Sequence, residues 1–355
     1  MAADPASPAR RASARRWLVA LLLAALAVAG GWAAVRRAVP ARPDPWLRAG
    51  AMPSLASGVG ERWFWVERSK GAPQRLVVAQ GREARAIAEA DAVTTYHADG
   101  QRVAWIERSG KQWRVCVSEL GAVGRRVLWQ GPEEPWGARL VWPGVCWLRR
   151  TPAEAPGLRA HPPLGPQLEV VGASLSGGPV VSVGTLPEEG PGEVLGEHGA
   201  SLVVAAWRTG APGNTVFYLV PVGGAPVRRL AGEVGIQHGV LERDGALVWP
   251  APSREATVEA AASCIRRLPA RGGGIETIAE WLPARGALFV TQRGLIYVGG
   301  EWRSEAWLPG APTELPRPAP RHRDVAVVAA GERDLLLVSV TAAAAKPMLY
   351  RAPLP

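Results

Sequence analysis

Short runs that are apolar at nearly every position recur along residues 51–355, each opening just behind a glycine. They are Gly60 (GERWFWV), Gly100 (GQRVAWI), Gly144 (GVCWLRR), Gly199 (GASLVVAAW), Gly245 (GALVWPA), Gly286 (GALFVTQ) and Gly331 (GERDLLLV). The intervals are 40, 44, 55, 46, 41 and 45 residues. A strand covered on one face alternates apolar and polar positions, whereas one covered on both faces stays apolar. Runs such as Trp63-Phe64-Trp65-Val66 and Leu335-Leu336-Leu337-Val338 are of the second kind. The unit around Gly100 divides into four predicted strands, 92–98, 101–108, 112–120 and 125–131, with Asp99-Gly100 as a hairpin turn.

A four-stranded unit repeated about every 40 residues is the signature of a β-propeller. The first two units are nearly copies, GERWFWVERSKG and GQRVAWIERSGK, so Trp65, Glu67, Arg68 and Ser69 recur as Trp105, Glu107, Arg108 and Ser109. The predicted fold class is therefore all-β, a β-propeller over 51–355 with seven blades; six is the alternative. Sandwiching each inner strand between neighbouring blades explains its apolar faces. The last unit has room for only one more strand, KPMLYRAPL, before Pro355. Residues 44–50 are expected to supply its missing outer strand and so tie first blade to last.

The stretches His97-Ala98-Asp99-Gly100-Gln101-Arg102-Val103-Ala104-Trp105 and Arg243-Asp244-Gly245-Ala246-Leu247-Val248-Trp249 place an Asp-Gly turn before an apolar strand. In this the chain resembles the TolB-type, WD-repeat-like propellers of bacterial envelopes. The resemblance implies the fold.

Ahead of the repeats, Trp17 to Val35 are nineteen residues without charge between two arginine pairs. As a helix they would span about 28 Å, near the thickness of a bilayer's hydrocarbon core. Residues 17–35 are read as a signal anchor, with 1–16 as a cytoplasmic tail and 36–50 as a Pro-rich linker. The alternative is a cleaved signal peptide, because Ala27-Val28-Ala29 suits a small-x-small cleavage site. Arginines are balanced on the two sides of the span, and the short tail is the simpler part to leave in the cytoplasm. The propeller is therefore expected outside the cytoplasmic membrane of a bacterium.

Charge excludes little else. Residues 1–50 hold eight arginines and two aspartates, leaving 33 basic and 29 acidic residues over 51–355. So mild an excess argues against a nucleic-acid partner. Cys116, Cys146 and Cys264 sit in apolar strand-like runs and read as buried thiols, with a Cys116–Cys146 disulfide as the alternative in an exported domain. The five histidines (97, 161, 198, 238, 322) show no metal-ligand spacing, and neither a metal nor a cofactor is expected. GASLSGG lacks the second glycine of a nucleophile elbow and reads as a turn. The pairs Glu67/Arg68 and Glu107/Arg108 read as solvated strand ends.

The one irregular interval contains TPAEAPGLRAHPPLGP, residues 151–166, between a second and a third strand. Stiff Pro-rich loops on rigid scaffolds serve as docking segments. Its Pro152, Pro156, Arg159, His161, Pro162, Pro163 and Pro166 form the candidate partner-binding loop. The function expected is a non-catalytic, membrane-anchored scaffold that binds a protein, a ligand or an envelope component. The rivals are a propeller hydrolase or lyase, a small-ligand receptor using the central channel, and a spacer in an envelope assembly.

Overall fold

The computed structural model describes residues 46–353 apart from several stretches, the longest being 152–166, 254–261, 315–324 and 340–346. The described strands pair into seven antiparallel sheets of four strands each. Six sheets use four consecutive strands. In the remaining one, Val325–Ala330 is innermost, followed by Asp334–Ser339, Met348–Pro353 and, from the other end of the chain, Leu47–Arg48.

The innermost strands are Met52–Val59, Ala92–Ala98, Trp136–Val141, Gly192–His198, Val240–Leu241, Ala287–Thr291 and Val325–Ala330. Each touches the next in chain order, and the last touches the first, so the sheets form a ring. Closure is both polar and apolar. Leu47 and Arg48 pair with Leu349 and Met348. Trp46 N–H donates to the Leu349 carbonyl at 2.8 Å, and Ala49 N–H to that of Pro347 at 3.1 Å.

The second sheet has strands Ala92–Ala98, Arg102–Ser109, Gln112–Glu119 and Arg126–Gly131, within one residue of those predicted. At its first turn Asp99 Oδ1 accepts from the N–H groups of Gln101 and Arg102, at 3.0 and 2.8 Å. Gly100 sits there at φ 90°, left-handed backbone that favours glycine. At the equivalent Gly245, φ 81°, a Cβ would also come within 2.7 Å of His198 Nδ1 on the preceding sheet. Gly144 has a different task from the one the repeat suggests. It opens its strand rather than a turn, where a Cβ would collide with the Ala173 carbonyl oxygen.

Alternation along the second strands explains their two apolar faces. In the first sheet Phe64 and Val66 pack forward against Val93, Val103 and Trp105 of the second. Trp63 and Trp65 pack backward against Leu336, Val338 and Leu349 of the last. Ile106 and Val115 of the second sheet in turn meet Val145 and Trp147 of the third. Burying each such side chain stabilises the ring by about 1.5–3 kcal/mol.

Polar groups also join the sheets. Arg62 donates to the Gly100 carbonyl, Arg85 to that of Leu120, and Arg126 to that of Leu175, each reaching the following sheet. The Tyr96 hydroxyl donates to the Phe64 carbonyl at 2.9 Å. Part of the chain's abundant arginine therefore serves inter-sheet contacts.

Glu67 and Glu107 are not solvated strand ends. Each lies two residues beyond a tryptophan on the same strand face and is buried, Glu107 completely. Glu67 accepts from Gly50 N–H at 2.7 Å and from Trp65 Nε1 at 3.3 Å. Glu107 accepts from Trp105 Nε1 at 2.8 Å and pairs with Arg125 at 2.7 Å and Arg114 at 3.7 Å. Arg68 and Arg108, on the opposite face, are exposed.

The segment 17–35 lies outside the described residues. Among those described, no helix is long and apolar enough to cross a membrane.

Candidate functional site

Each sheet has two ends. One carries the turns between first and second strands, and the other the turns between second and third. At the first end, between the second, third and fourth sheets, lies a cleft of about 430 Å³. His97, Asp99, Arg102, Arg139, Leu140 and Glu197 are among the residues lining it. The sheet register brings them together. His97 is next to last on the innermost strand of the second sheet, Arg139 and Leu140 lie on that of the third, and Glu197 on that of the fourth.

His97 Nδ1 accepts the Leu140 backbone N–H at 3.3 Å, which joins two innermost strands. Burial, and then the Arg139 guanidinium, pull the imidazole down to about 3 against a smaller opposing effect of Asp99. The ring is thus neutral near pH 7. With Nδ1 accepting, Nε2 carries its proton and is a donor.

Asp99 and Arg102 satisfy one another at 2.9 Å. Burial favours a neutral Asp99, but the N–H groups of Gln101 and Arg102 and the Arg102 charge outweigh it and hold the carboxyl below its usual range. Arg139 and Glu193 lie on facing innermost strands. Burial lowers the Arg139 pKa and raises that of Glu193, and in each case the other's charge opposes the shift. Glu193 acts on Arg139 by charge alone: no hydrogen bond or ion pair joins Arg139 to another described residue.

The candidate loop residues Pro152, Pro156, Arg159, His161, Pro162, Pro163 and Pro166 all lie outside the described residues. Their flanks do not. Thr151 N–H donates to the Gln167 carbonyl at 2.8 Å, and Gln167 N–H to Thr151 Oγ1 at 3.0 Å. These residues continue the hairpin of Gly144–Arg150 and Leu168–Ser174 at the end where Arg150 pairs with Leu168. The cleft adjoins Gly144 and Leu175, at the opposite end of the same strands.

Sequence reasoning did not single out the cleft. Its one signal was His97 two residues ahead of Asp99, at the end of a predicted first strand. The partners Arg139 and Glu197 come from units with no Asp-Gly turn to mark them.

The three cysteines are free and buried. Cys116 and Cys146 belong to different sheets, and burial pushes each thiol up to about 12. Among the described residues no cluster of three His, Cys, Asp or Glu could hold a metal ion.

No family model and no curated protein matches the chain. Solved structures do. The uncomplexed acylaminoacyl peptidase of Pyrococcus horikoshii superposes with a TM-score of 0.59 at 14% identity, over 86% of this chain and 52% of that one. The β-propeller domain of the Trilobed protease from Pyrococcus furiosus, described as having an open velcro topology, gives 0.57 at 12% identity, over 87% and 96%. The chain is a β-propeller. TolB from Acinetobacter baumannii is also similar, with a TM-score of 0.49 at 12% identity over 82% of this chain and 65% of TolB. This propeller spans about half the length of the peptidase and about two-thirds that of TolB. At such identities the likeness extends to the fold alone.

Proposed function

We propose that the chain is a seven-bladed binding propeller, held outside the cytoplasmic membrane by residues 17–35, that takes its ligand in the His97–Arg139 cleft without catalysing a reaction. One observation carries the reading: polar groups of both signs, from three blades, converge on a cleft at one end of the ring. His97 favours binding over catalysis. A general base works best with a pKa near the operating pH, and an imidazole drawn down to about 3 is a weak one. The nineteen uncharged residues near the N-terminus support the anchor.

Occupancy of the cleft is testable in cells. A photo-crosslinking residue at position 175, in the cleft wall, should capture a ligand or partner, whereas the same residue at the exposed Ile275 should not. Equal capture at both positions would remove the cleft from the proposal. Alkaline phosphatase fused after Pro355 tests the orientation: an active fusion is expected, and an inactive one would place the propeller in the cytoplasm.

The loop at 152–166 is proposed as a second, docking element at the other end. The hydrogen bonds between Thr151 and Gln167 already close the hairpin beneath it. Replacing 152–166 by Asn-Gly should leave the melting temperature unchanged and abolish partner capture. Capture that survives would make the loop a spacer.

A further inference from the structure

Among the described residues lining the cleft, one cation has no hydrogen-bonding partner. Arg102 is committed to Asp99, through Nη2 at 2.9 Å and Nε at 3.1 Å. Arg139 has no hydrogen-bond acceptor among the described residues, although a guanidinium carries five donors. Its attraction to Glu193 does not offset the cost of burying it. A guanidinium in that position is stabilised by an acceptor brought from outside, and its planar fork suits a carboxylate. His97 adds a neutral donor through Nε2, since its Nδ1 is occupied by Leu140.

The other charges narrow the choice. Asp99 and Glu197 also line the cleft, so a dianionic phosphate would meet two carboxylates, whereas a singly charged group on Arg139 meets less repulsion. We propose that the cleft binds a monocarboxylate, held by Arg139 with His97 Nε2–H as the second donor. The proposal rests on the cleft being the binding site and specifies what enters it. A peptide C-terminus and a uronic acid residue carry the same group.

The test is calorimetric titration of the full chain in detergent with matched probes. Acetyl-triglycine is compared with its amide, methyl glucuronoside with methyl glucoside, and inorganic phosphate is titrated alone. At least one carboxylate should bind about tenfold or more tightly than its neutral counterpart. Which one does so identifies the source. Arg139→Gln should abolish the preference, and Arg139→Lys should keep part of it. Should Arg139→Gln fail to fold, Glu193→Gln replaces it and should strengthen carboxylate binding by removing the internal competitor.

Neutral probes that bind as well as the acids would overturn the proposal. So would phosphate binding more tightly than both acids, or no binding of either acid at millimolar concentration. Crosslinking at position 175 reads occupancy whatever the ligand's chemistry. Capture there without a carboxylate preference overturns the carboxylate alone, and no capture overturns the site.

Discussion

Trp105 donates its indole N–H to the Glu107 carboxylate at 2.8 Å, two residues further along the same strand. Trp65 and Glu67 repeat the arrangement at 3.3 Å. This is the structural content of the near-identical segments at Gly60 and Gly100. A tryptophan between two blades buries its polar edge at less cost when an acceptor is buried with it. The third and fifth blades keep the tryptophan but place Arg149 and Ala251 two residues on. There the indole nitrogens of Trp147 and Trp249 are buried without a described partner.

The contrast predicts unequal substitutions. Trp105→Phe loses a buried hydrogen bond, whereas Trp147→Phe removes an unpaired donor. Trp105→Phe should destabilise more, by about 1 kcal/mol. Denaturant midpoints of the two variants measure the difference, and equal losses would show that packing alone sets the cost.

Glu107 also predicts a ranking among its arginines. Arg125→Ala takes away the closer ion pair of a fully buried carboxylate, at 2.7 Å. Its cost should approach the ~3–5 kcal/mol of a broken buried pair. Arg114→Ala, at 3.7 Å, should cost clearly less. Thermal unfolding of both variants decides the order.

Ring closure gives a third expectation. Removing 44–50 deletes the pairing of Leu47 with Leu349 and the hydrogen bonds of Trp46, Ala49 and Gly50. At about 1 kcal/mol for each bond, the melting temperature should fall by on the order of 5–10 °C. An unchanged value would mean that side-chain packing between the first and last blades closes the ring unaided.

Leu55 is the one described non-glycine residue with positive φ, 47°, on an innermost strand where the register shifts between Ser54 and Ser57. It is also 45% exposed, so its side chain contributes little packing. Left-handed backbone costs a non-glycine residue about 1–2 kcal/mol. Leu55→Gly should therefore be neutral or stabilising by up to about 1 kcal/mol, in contrast to the loss usual for glycine in a strand. Chemical denaturation checks the sign.

His97 gives the fold a pH dependence. In the unfolded chain its imidazole takes a proton as pH falls through about 6.5, while the folded imidazole stays neutral until about 3. The unfolded state then binds more protons, so stability present above pH 6.5 is lost progressively down to about pH 3. Arg139 deepens the effect and Asp99 opposes it, with Arg102 and Glu197 close by in the same cleft. His97→Asn should reduce the slope of stability against pH between those limits by about one proton. An unaltered slope would assign the dependence to other groups.

Much of the fold was legible because it rests on local repetition. Asp99-Gly100 and the doubly apolar run behind it specify a turn and an inner strand without reference to the rest of the chain. The contacts of Leu47 join residues some 300 positions apart, yet the shortage of strands at the C-terminus was enough to point to them. The cleft was not legible, because His97, Arg139 and Glu197 come from three blades and share no motif. The burial of Glu67 and Glu107 was missed for a related reason. A Glu-Arg pair at a strand end looks solvated until the neighbouring blade, and Arg125 just ahead of the same blade's outer strand, are in place.

The most direct test of where this propeller binds is hydrogen exchange of the full chain with and without the partner captured at position 175. Slower exchange is expected at 97–102, 139–141 and 196–197, the residues around the cleft. Protection confined to 149–151 and 167–169, at the other end of the ring, would contradict the cleft as the binding site.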